Sequence, residues 1–177
     1  MKITAVHRGM LGVGSLERVD NVVVSIETDS GISGVGEASP WPCFSENAWS
    51  IKAAIDRYLC PALLGADPTA VESALVLMEE VLHDYALAKA AIEMALLDIS
   101  GKALGVPVYR LLGGKVRDYT TLSYSIANQD IDKDLEEIRW LLDEGFRVFK
   151  IKTGVLPLPE EVKRVAAIRR ILPAGVD

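Results

Sequence analysis

The amino-acid sequence predicts an α+β region followed by a second region of the parallel β/α type. Three observations lead to this fold class. Short β-rich runs fill residues 1–40, three helical stretches follow over residues 45–104, and strands and helices alternate from Asp118 onward. Strand–helix–strand–helix order is typical of βα units that form a parallel sheet. A boundary near Gly113 and Gly114 divides the chain into residues 1–114 and 118–177.

The first region opens with three predicted strands that form an antiparallel meander. Alternation places Val22, Val24 and Ile26 on one face of the central strand, which is typical of a half-buried strand. A glycine-rich segment, residues 9–15, is expected to be a mobile loop. The predicted strands cover residues 3–8, 21–28 and 34–38.

Three helices are predicted next. Ser45 is the expected N-cap of a helix over residues 46–59 that Pro61 stops. Asp67 is the expected cap of the second, with Pro68 at its first position. The third, residues 87–104, is apolar on most faces and is therefore expected to be buried.

The second region contains two predicted βα units. The strands are residues 119–126 and 146–152, and the helices are residues 130–144 and 159–172. The expected core stripe of the last helix is Val162, Val165, Ile168 and Ile171. Two strands cannot form a stable parallel sheet covered on both faces. We therefore expect these residues to be part of a longer protein.

Composition excludes several functions. A net charge of −6, with 25 acidic residues mixed among 19 basic ones, argues against nucleic-acid binding. No apolar run approaches the ~18 residues that a membrane helix needs. Neither the N-terminus nor any other segment resembles a targeting signal. The two cysteines, Cys43 and Cys60, show no metal-ligand or disulfide pattern, which predicts a cytoplasmic protein.

Two lysines at the end of the second predicted parallel strand are the candidate catalytic residues. Alternation in a strand places Lys150 and Lys152 on one face. Neighbouring ammonium groups disfavour each other's charge, and a lysine that is neutral near pH 7 can act as a general base. The spacing alone fits an ordinary solvated edge strand equally well, because Lys-x-Lys is a common tripeptide.

Residues upstream carry a resemblance to a known family. Residues 91–114 read AIEMALLDISGKALGVPVYRLLGG. This segment resembles the signature helix and loop of the enolase superfamily, in the form seen in mandelate racemase and muconate lactonizing enzymes. Two departures are mild: Glu93 stands where the family usually has Asp, and Leu97 stands where it often has Trp. Residues 34–38 also resemble the family's third-strand motif, and the order of elements agrees along the whole chain.

The resemblance implies an α+β capping domain followed by a modified TIM barrel that begins near Tyr119. It implies a divalent metal, normally Mg²⁺, that binds a small carboxylate substrate and stabilises an enediolate. The muconate-lactonizing branch has Lys-x-Lys at the end of the second barrel strand. By this resemblance Lys152 is the acid/base and Lys150 tunes it. The metal ligands would be carboxylates on later strands, beyond residue 177, and Asp177 itself is interpreted as a loop or strand-entry residue.

Other site residues are also implied by the resemblance. Two capping loops, residues 9–16 and 40–45, would cover the substrate. Trp41 and Phe44 would then contact substrate, although both could instead pack on the seam between cap and barrel. Ser123 and Ser125 share a face at the end of the first barrel strand and are candidate substrate contacts, or ordinary strand hydroxyls. The full-length protein is expected to be a homo-oligomer that binds neither nucleic acid nor membrane.

Several functions remain open at this point. Muconate-type cycloisomerisation is the leading one, and epimerisation or racemisation of amino-acid derivatives or dipeptides begins at the same enediolate. Dehydration of a small cyclic imino acid such as a hydroxyproline is a further alternative, favoured by the short first loop and aromatic second loop. Two others are a non-catalytic fragment acting as a folding or interaction module, and an intact family fold that has lost activity. The presence of both lysines disfavours the last.

Overall fold

The structure, a computed structural model, describes residues 1–12, 20–41, 45–128 and 130–176, with the backbone alone over residues 4–12. The chain divides into two compact units, Met1–Lys115 and Val116–Asp177. None of the helices in the described ranges combines the length and apolarity of a membrane span.

The first unit begins with a three-stranded antiparallel sheet in the order β1-β2-β3. Its strands are β1 (Ile3–Gly12), β2 (Asp20–Thr28) and β3 (Ser33–Ala38). The alternation predicted for β2 is confirmed, since Val22, Val24 and Ile26 are fully buried. β1 continues to Gly12, so residues 9–12 of the predicted glycine-rich loop are strand, while residues 13–19 lie outside the described residues.

Five α-helices and one π-helical segment follow in the described part of the first unit. The bounds are α1 (Ala48–Ala54), α2 (Cys60–Leu63), α3 (Val71–Val81), α4 (Ala86–Leu104) and α5 (Val108–Leu111). A π-helical segment, Ile55–Leu59, joins α1 to α2 without a break. The predicted helix 87–104 is confirmed as α4, and Gly105 ends it in the left-handed conformation with φ of 66°.

Three helix-end predictions are wrong. Asn47, not Ser45, caps α1, because its side chain accepts hydrogen bonds from two backbone amides of the first turn. Pro61 does not stop the helix, because it occupies the first turn of α2, where a missing N–H costs little. Asp67 accepts from Thr69 in a turn, and α3 begins only at Val71.

Helix α4 lies directly on β3. Gly34 and Gly36 face it, and a Cβ at either position would overlap a main-chain carbonyl of α4, that of Ala95 or Ala91. The absence of side chains therefore permits this close approach. The Asp98 carboxylate accepts the Val35 N–H at 3.0 Å, and Lys102 Nζ donates to the Ser33 carbonyl at 2.8 Å. These two side chains of α4 thus satisfy backbone groups of β3.

The second unit pairs two parallel strands, each followed by a helix. The elements are β4 (Ser123–Ile126), α6 (Ile131–Asp143), β5 (Val148–Ile151) and α7 (Leu158–Ile171). Both strands are shorter than predicted: β4 starts at Ser123 rather than Tyr119, and β5 covers only the middle of residues 146–152. The apolar cluster of this unit is Ile126, Ile138, Leu141, Phe149, Ile168 and Val176.

The predicted core stripe of α7 is partly wrong. Val162 and Val165 are 59% and 40% exposed. The buried face instead holds Glu161, Arg164 and Ile168. Two of these three residues are charged, so hydrophobic periodicity alone selected the wrong face.

Candidate active site

Lys150 and Lys152 lie at the carboxyl end of β5 on the side away from the apolar cluster. Phe149 is 9% exposed and Ile151 packs against the cluster, whereas both lysines are exposed. The alternation expected from the sequence is therefore found. Lys152 follows the last strand residue directly, and its N–H donates to the Ile126 carbonyl at 3.0 Å, which extends the pairing with β4 by one residue.

Ser125 and Lys150 lie side by side on neighbouring strands. The parallel register sets Ser123 opposite Val148 and Ser125 opposite Lys150. Strands are spaced about 4.8 Å apart in the hydrogen-bonding direction. Ser123, Ser125 and Lys150 are all exposed on one face of the sheet. Ser125 and Lys150 lie toward the carboxyl ends of their strands, whereas Ser123 is the first residue of β4, so the prediction that both serines lie at the strand end holds only for Ser125.

The predicted aromatic contacts belong to the first unit. Trp41 is 43% exposed. Phe44 lies outside the described residues, as do Cys43 and residues 13–16 of the first predicted capping loop. Asp177 is also outside them. The role of Trp41 and Phe44 in substrate binding therefore stays a prediction.

Acidic, histidine and cysteine side chains are the candidate ligands for a metal ion. Within the described ranges, no group of three or more such residues could hold a metal ion.

A buried ion cluster behind the lysine-bearing strand was missed by the sequence interpretation. It consists of Asp134 on α6 with Glu161 and Arg164 on α7, and all three are buried. The available signal was that Glu161 and Arg164 lie seven and four residues before Ile168, on the same face of α7. A hydrophobicity pattern assigns such charged residues to solvent. These residues make contacts with the main chain around Lys152, described below.

Glu161 is the member of the cluster that holds the loop after β5. Burial would raise the pKa of its carboxyl group, but the backbone amides of Leu156, Gly154 and Val155, together with Arg164, outweigh burial and lower the pKa below its ordinary 4.5. Its Oε1 accepts all three amides, at 3.0 to 3.2 Å. The ionised form is therefore the one that the fold stabilises.

This arrangement predicts a specific loss of stability in acid. A carboxylate with a lowered folded-state pKa contributes stability above its unfolded pKa, here near 4.5, and this contribution disappears as the pH falls through the folded value. We expect Glu161→Gln to be less stable than the parent protein above about pH 4.5, with the difference shrinking at lower pH. Urea unfolding at a series of pH values measures this. A difference that does not change with pH would contradict the assignment.

Comparison with known proteins identifies relatives along the whole chain. Residues 2–113 match the profile of the mandelate racemase / muconate lactonizing enzyme N-terminal domain. Muconate cycloisomerase 1 of Pseudomonas putida is 36% identical over 166 residues, which cover 92% of this chain and 44% of that protein. N-succinyl-L-Arg/Lys racemase of Bacillus cereus is 32% identical over 180 residues, covering 96% of this chain and 48% of that protein.

The fold is likewise similar to a solved structure. The muconate lactonizing enzyme from Pseudomonas putida superposes with a TM-score of 0.92 at 32% identity, covering 100% of this chain and 51% of that one. The chain thus spans about half the length of the relatives it matches. The match to the family profile covers more than half of the sequence, and the chain belongs to the mandelate racemase / muconate lactonizing enzyme family.

Proposed function

We propose that this chain supplies the capping domain and the first two βα units of a muconate cycloisomerase-like enzyme. The enzyme removes a proton α to a carboxylate, with Lys152 as the acid/base and Lys150 as the residue that tunes it. The names of the relatives, two cycloisomerase matches and a racemase among them, support this reaction class. The domain boundaries that we propose are residues 1–114 and 118–177.

The observation that carries the proposal is the division of the β4–β5 sheet into two faces. One face packs Tyr124, Ile126 and Phe149 into the apolar cluster with α6 and α7. The other exposes Ser123, Ser125 and Lys150. In a β/α barrel the helices surround the outside, and catalytic groups sit at the carboxyl ends of the strands. As part of a barrel, the lysine face would therefore line its interior.

The proposed chemistry is proton transfer at the Lys152 amine. The neutral Nζ takes the α-proton and becomes an ammonium ion, which returns the proton to carbon in the reverse or second half-reaction. Lys150, exposed on the same face of the strand, is proposed to tune this proton transfer. Mg²⁺, with ligands that we expect beyond residue 177, would supply positive charge to the substrate carboxylate when bound.

Racemisation of an N-acylated amino acid is the second candidate. It is favoured by the similarity to N-succinyl-L-Arg/Lys racemase over 96% of this chain. Both reactions use the same lysine, because each passes through an enediolate whose α-carbon loses or gains a proton: racemisation forms it by deprotonation, and cycloisomerisation ends by protonating it. Ser123 and Ser125 are proposed substrate contacts in either case, since both are exposed on the face of the sheet that carries Lys150, with Ser125 directly beside it.

A substrate screen tests the proposal. The full-length protein is incubated with Mg²⁺ in D₂O and with muconates, N-acyl amino acids, dipeptides and hydroxyprolines, and deuterium at the α-carbon is followed by ¹H NMR. We expect exchange or turnover with a member of the first two classes, and loss of both when EDTA removes the metal. Absence of exchange across the panel would contradict the proposal and favour a non-catalytic module.

A further inference from the structure

The ion cluster of the second unit joins its two helices inside the protein. Asp134 and Arg164 have fully buried side chains, and Arg164 Nε lies 2.5 Å from Asp134 Oδ2. Arg164 Nη1 also lies 3.2 Å from Glu161 Oε2. Arg164 thus contacts one carboxylate on α6 and one on its own helix beneath the surface.

Each member of the cluster also holds the main chain just beyond a strand. Arg164 Nη1 donates to the Lys152 carbonyl at 2.8 Å. Asp134 Oδ1 accepts the N–H of Asn128, two residues after β4, at 3.2 Å. Glu161 holds the three amides of residues 154–156 after β5. All of these contacts are at the carboxyl ends of β4 and β5, the end that carries the lysines.

Stability alone does not account for such a cluster. Taking a charge out of water costs several kcal/mol per ion. Replacing a buried ion pair by apolar residues of similar volume often leaves the stability of the folded protein unchanged or raises it. In addition, Arg164 Nη2 is buried without a partner among the described residues, which adds to the cost. The cluster is therefore better explained by the main-chain positions that it fixes.

The backbone of Lys152 is held on both sides. Its N–H bonds to Ile126 of β4, and its carbonyl bonds to Arg164 of α7. The side chain therefore starts from a Cα whose flanking peptides are both fixed. Catalytic groups must be held within about 0.5 Å of their productive geometry, and a displacement of about 1 Å can cost about 100-fold in rate.

We propose that Arg164, supported by Asp134, is a positioning residue for Lys152, holding the lysine's main chain at the carboxyl end of β5. This inference rests on the proposed function of Lys152 as the base. Arg164 does not touch substrate, and its effect passes through the Lys152 carbonyl.

The charge of Arg164 persists over the working pH range. Burial would lower the pKa of its guanidinium, but the hydrogen bonds and charges of Asp134 and Glu161 outweigh burial and raise the pKa above its ordinary value. The bond to the Lys152 carbonyl is therefore retained at every pH at which the enzyme would be assayed.

The test compares two variants of the full-length protein with a matched control. The double variant Arg164→Met/Asp134→Leu removes the buried Asp134–Arg164 pair, and Glu161 keeps its hydrogen bonds to the three amides of residues 154–156. Arg164→Lys keeps a positive charge but cannot donate to Asp134 and to Lys152 in the fork geometry of arginine. The control is Arg169→Met, which removes another arginine of α7 that donates to a main-chain carbonyl, that of Val176 at 2.8 Å.

Three readouts decide the outcome: kcat and KM, urea unfolding, and hydrogen–deuterium exchange of the peptide containing residues 150–156. We expect the double variant to unfold near the parent's midpoint while kcat falls about 10- to 100-fold and KM changes little. Exchange of that peptide should become faster. Arg169→Met should leave kcat and this exchange unchanged.

A folded double variant with parental kcat and parental exchange would overturn the proposal. If the double variant fails to fold, Arg164→Lys is measured instead. A lowered kcat in that variant supports the proposal, and a parental kcat with parental amide exchange overturns it. If the parent protein shows no α-proton exchange, the proposed function fails, whereas the peptide exchange still reports whether Arg164 holds Lys152. Faster amide exchange of residues 150–156 in the variants then supports a role for Arg164 in holding the main chain of Lys152. Unchanged amide exchange refutes it.

Discussion

Replacing Lys152 by alanine should lower α-proton exchange by about 1,000-fold or more, because general acid–base groups contribute about 100- to 10,000-fold. The side chain is exposed, so its removal leaves the apolar cluster intact. The main-chain bonds of Lys152 to Ile126 and Arg164 do not depend on the side chain. The measurement is ¹H NMR of the substrate in D₂O with the full-length variant.

A matched control separates loss of the base from loss of surface charge. Lys163 lies on α7 and is exposed, so Lys163→Ala removes a lysine of the same unit. We expect parental exchange in this control and parental unfolding in both variants. Undiminished exchange in Lys152→Ala would refute the assignment of Lys152 as the base.

Replacing Gly36 by alanine should destabilise the first unit by about 3 kcal/mol, the upper part of the usual range for overpacking. The added Cβ would overlap the Ala91 carbonyl of α4, a main-chain atom that cannot rotate away as a side chain can. To relieve the clash, α4 and β3 must separate, which loosens the buried face of the sheet. Urea unfolding followed by circular dichroism measures the effect.

Val35→Ala is the control on the same strand. Val35 is 52% exposed and points away from α4, so we expect a change below about 1 kcal/mol. Equal destabilisation by the two substitutions would contradict the close approach of α4 to Gly36.

Elements whose apolar residues follow one clear period could be predicted from the sequence. Val22, Val24 and Ile26 alternate with polar neighbours, and the structure buries all three. The apolar helix before Gly105 is confirmed to within one residue at its start. The shared face of Lys150 and Lys152 follows from strand geometry alone, because it requires only that residues 148–151 be extended.

Helix ends were harder to predict because several residues compete for the same role. Ser45 and Asn47 are both good caps, and only the observed geometry shows that Asn47 accepts the two first-turn amides. Asp67 satisfies the turn at Thr69 instead of a helix start. Proline is compatible with a first helical turn as well as with a stop, so Pro61 was ambiguous.

The burial of charged residues on α7 could not be predicted from the hydrophobic pattern. Arg164 is fully buried because Asp134, 30 residues earlier, supplies its partner. No local pattern reports a pairing at that distance. Val162 and Val165, which the pattern assigned to the core, are exposed as a result.

We propose that Lys152 exchanges a proton with the α-carbon of a carboxylate substrate. A crystal structure of the full-length protein with Mg²⁺ and a bound substrate analogue tests this most directly. The distance to measure joins Lys152 Nζ to the α-carbon. We predict a separation of about 3 to 3.5 Å, as expected for reacting atoms, with Lys150 on the same side of the ligand. A substrate bound with its α-carbon out of reach of Lys152, and with another side chain in that position, would contradict the account.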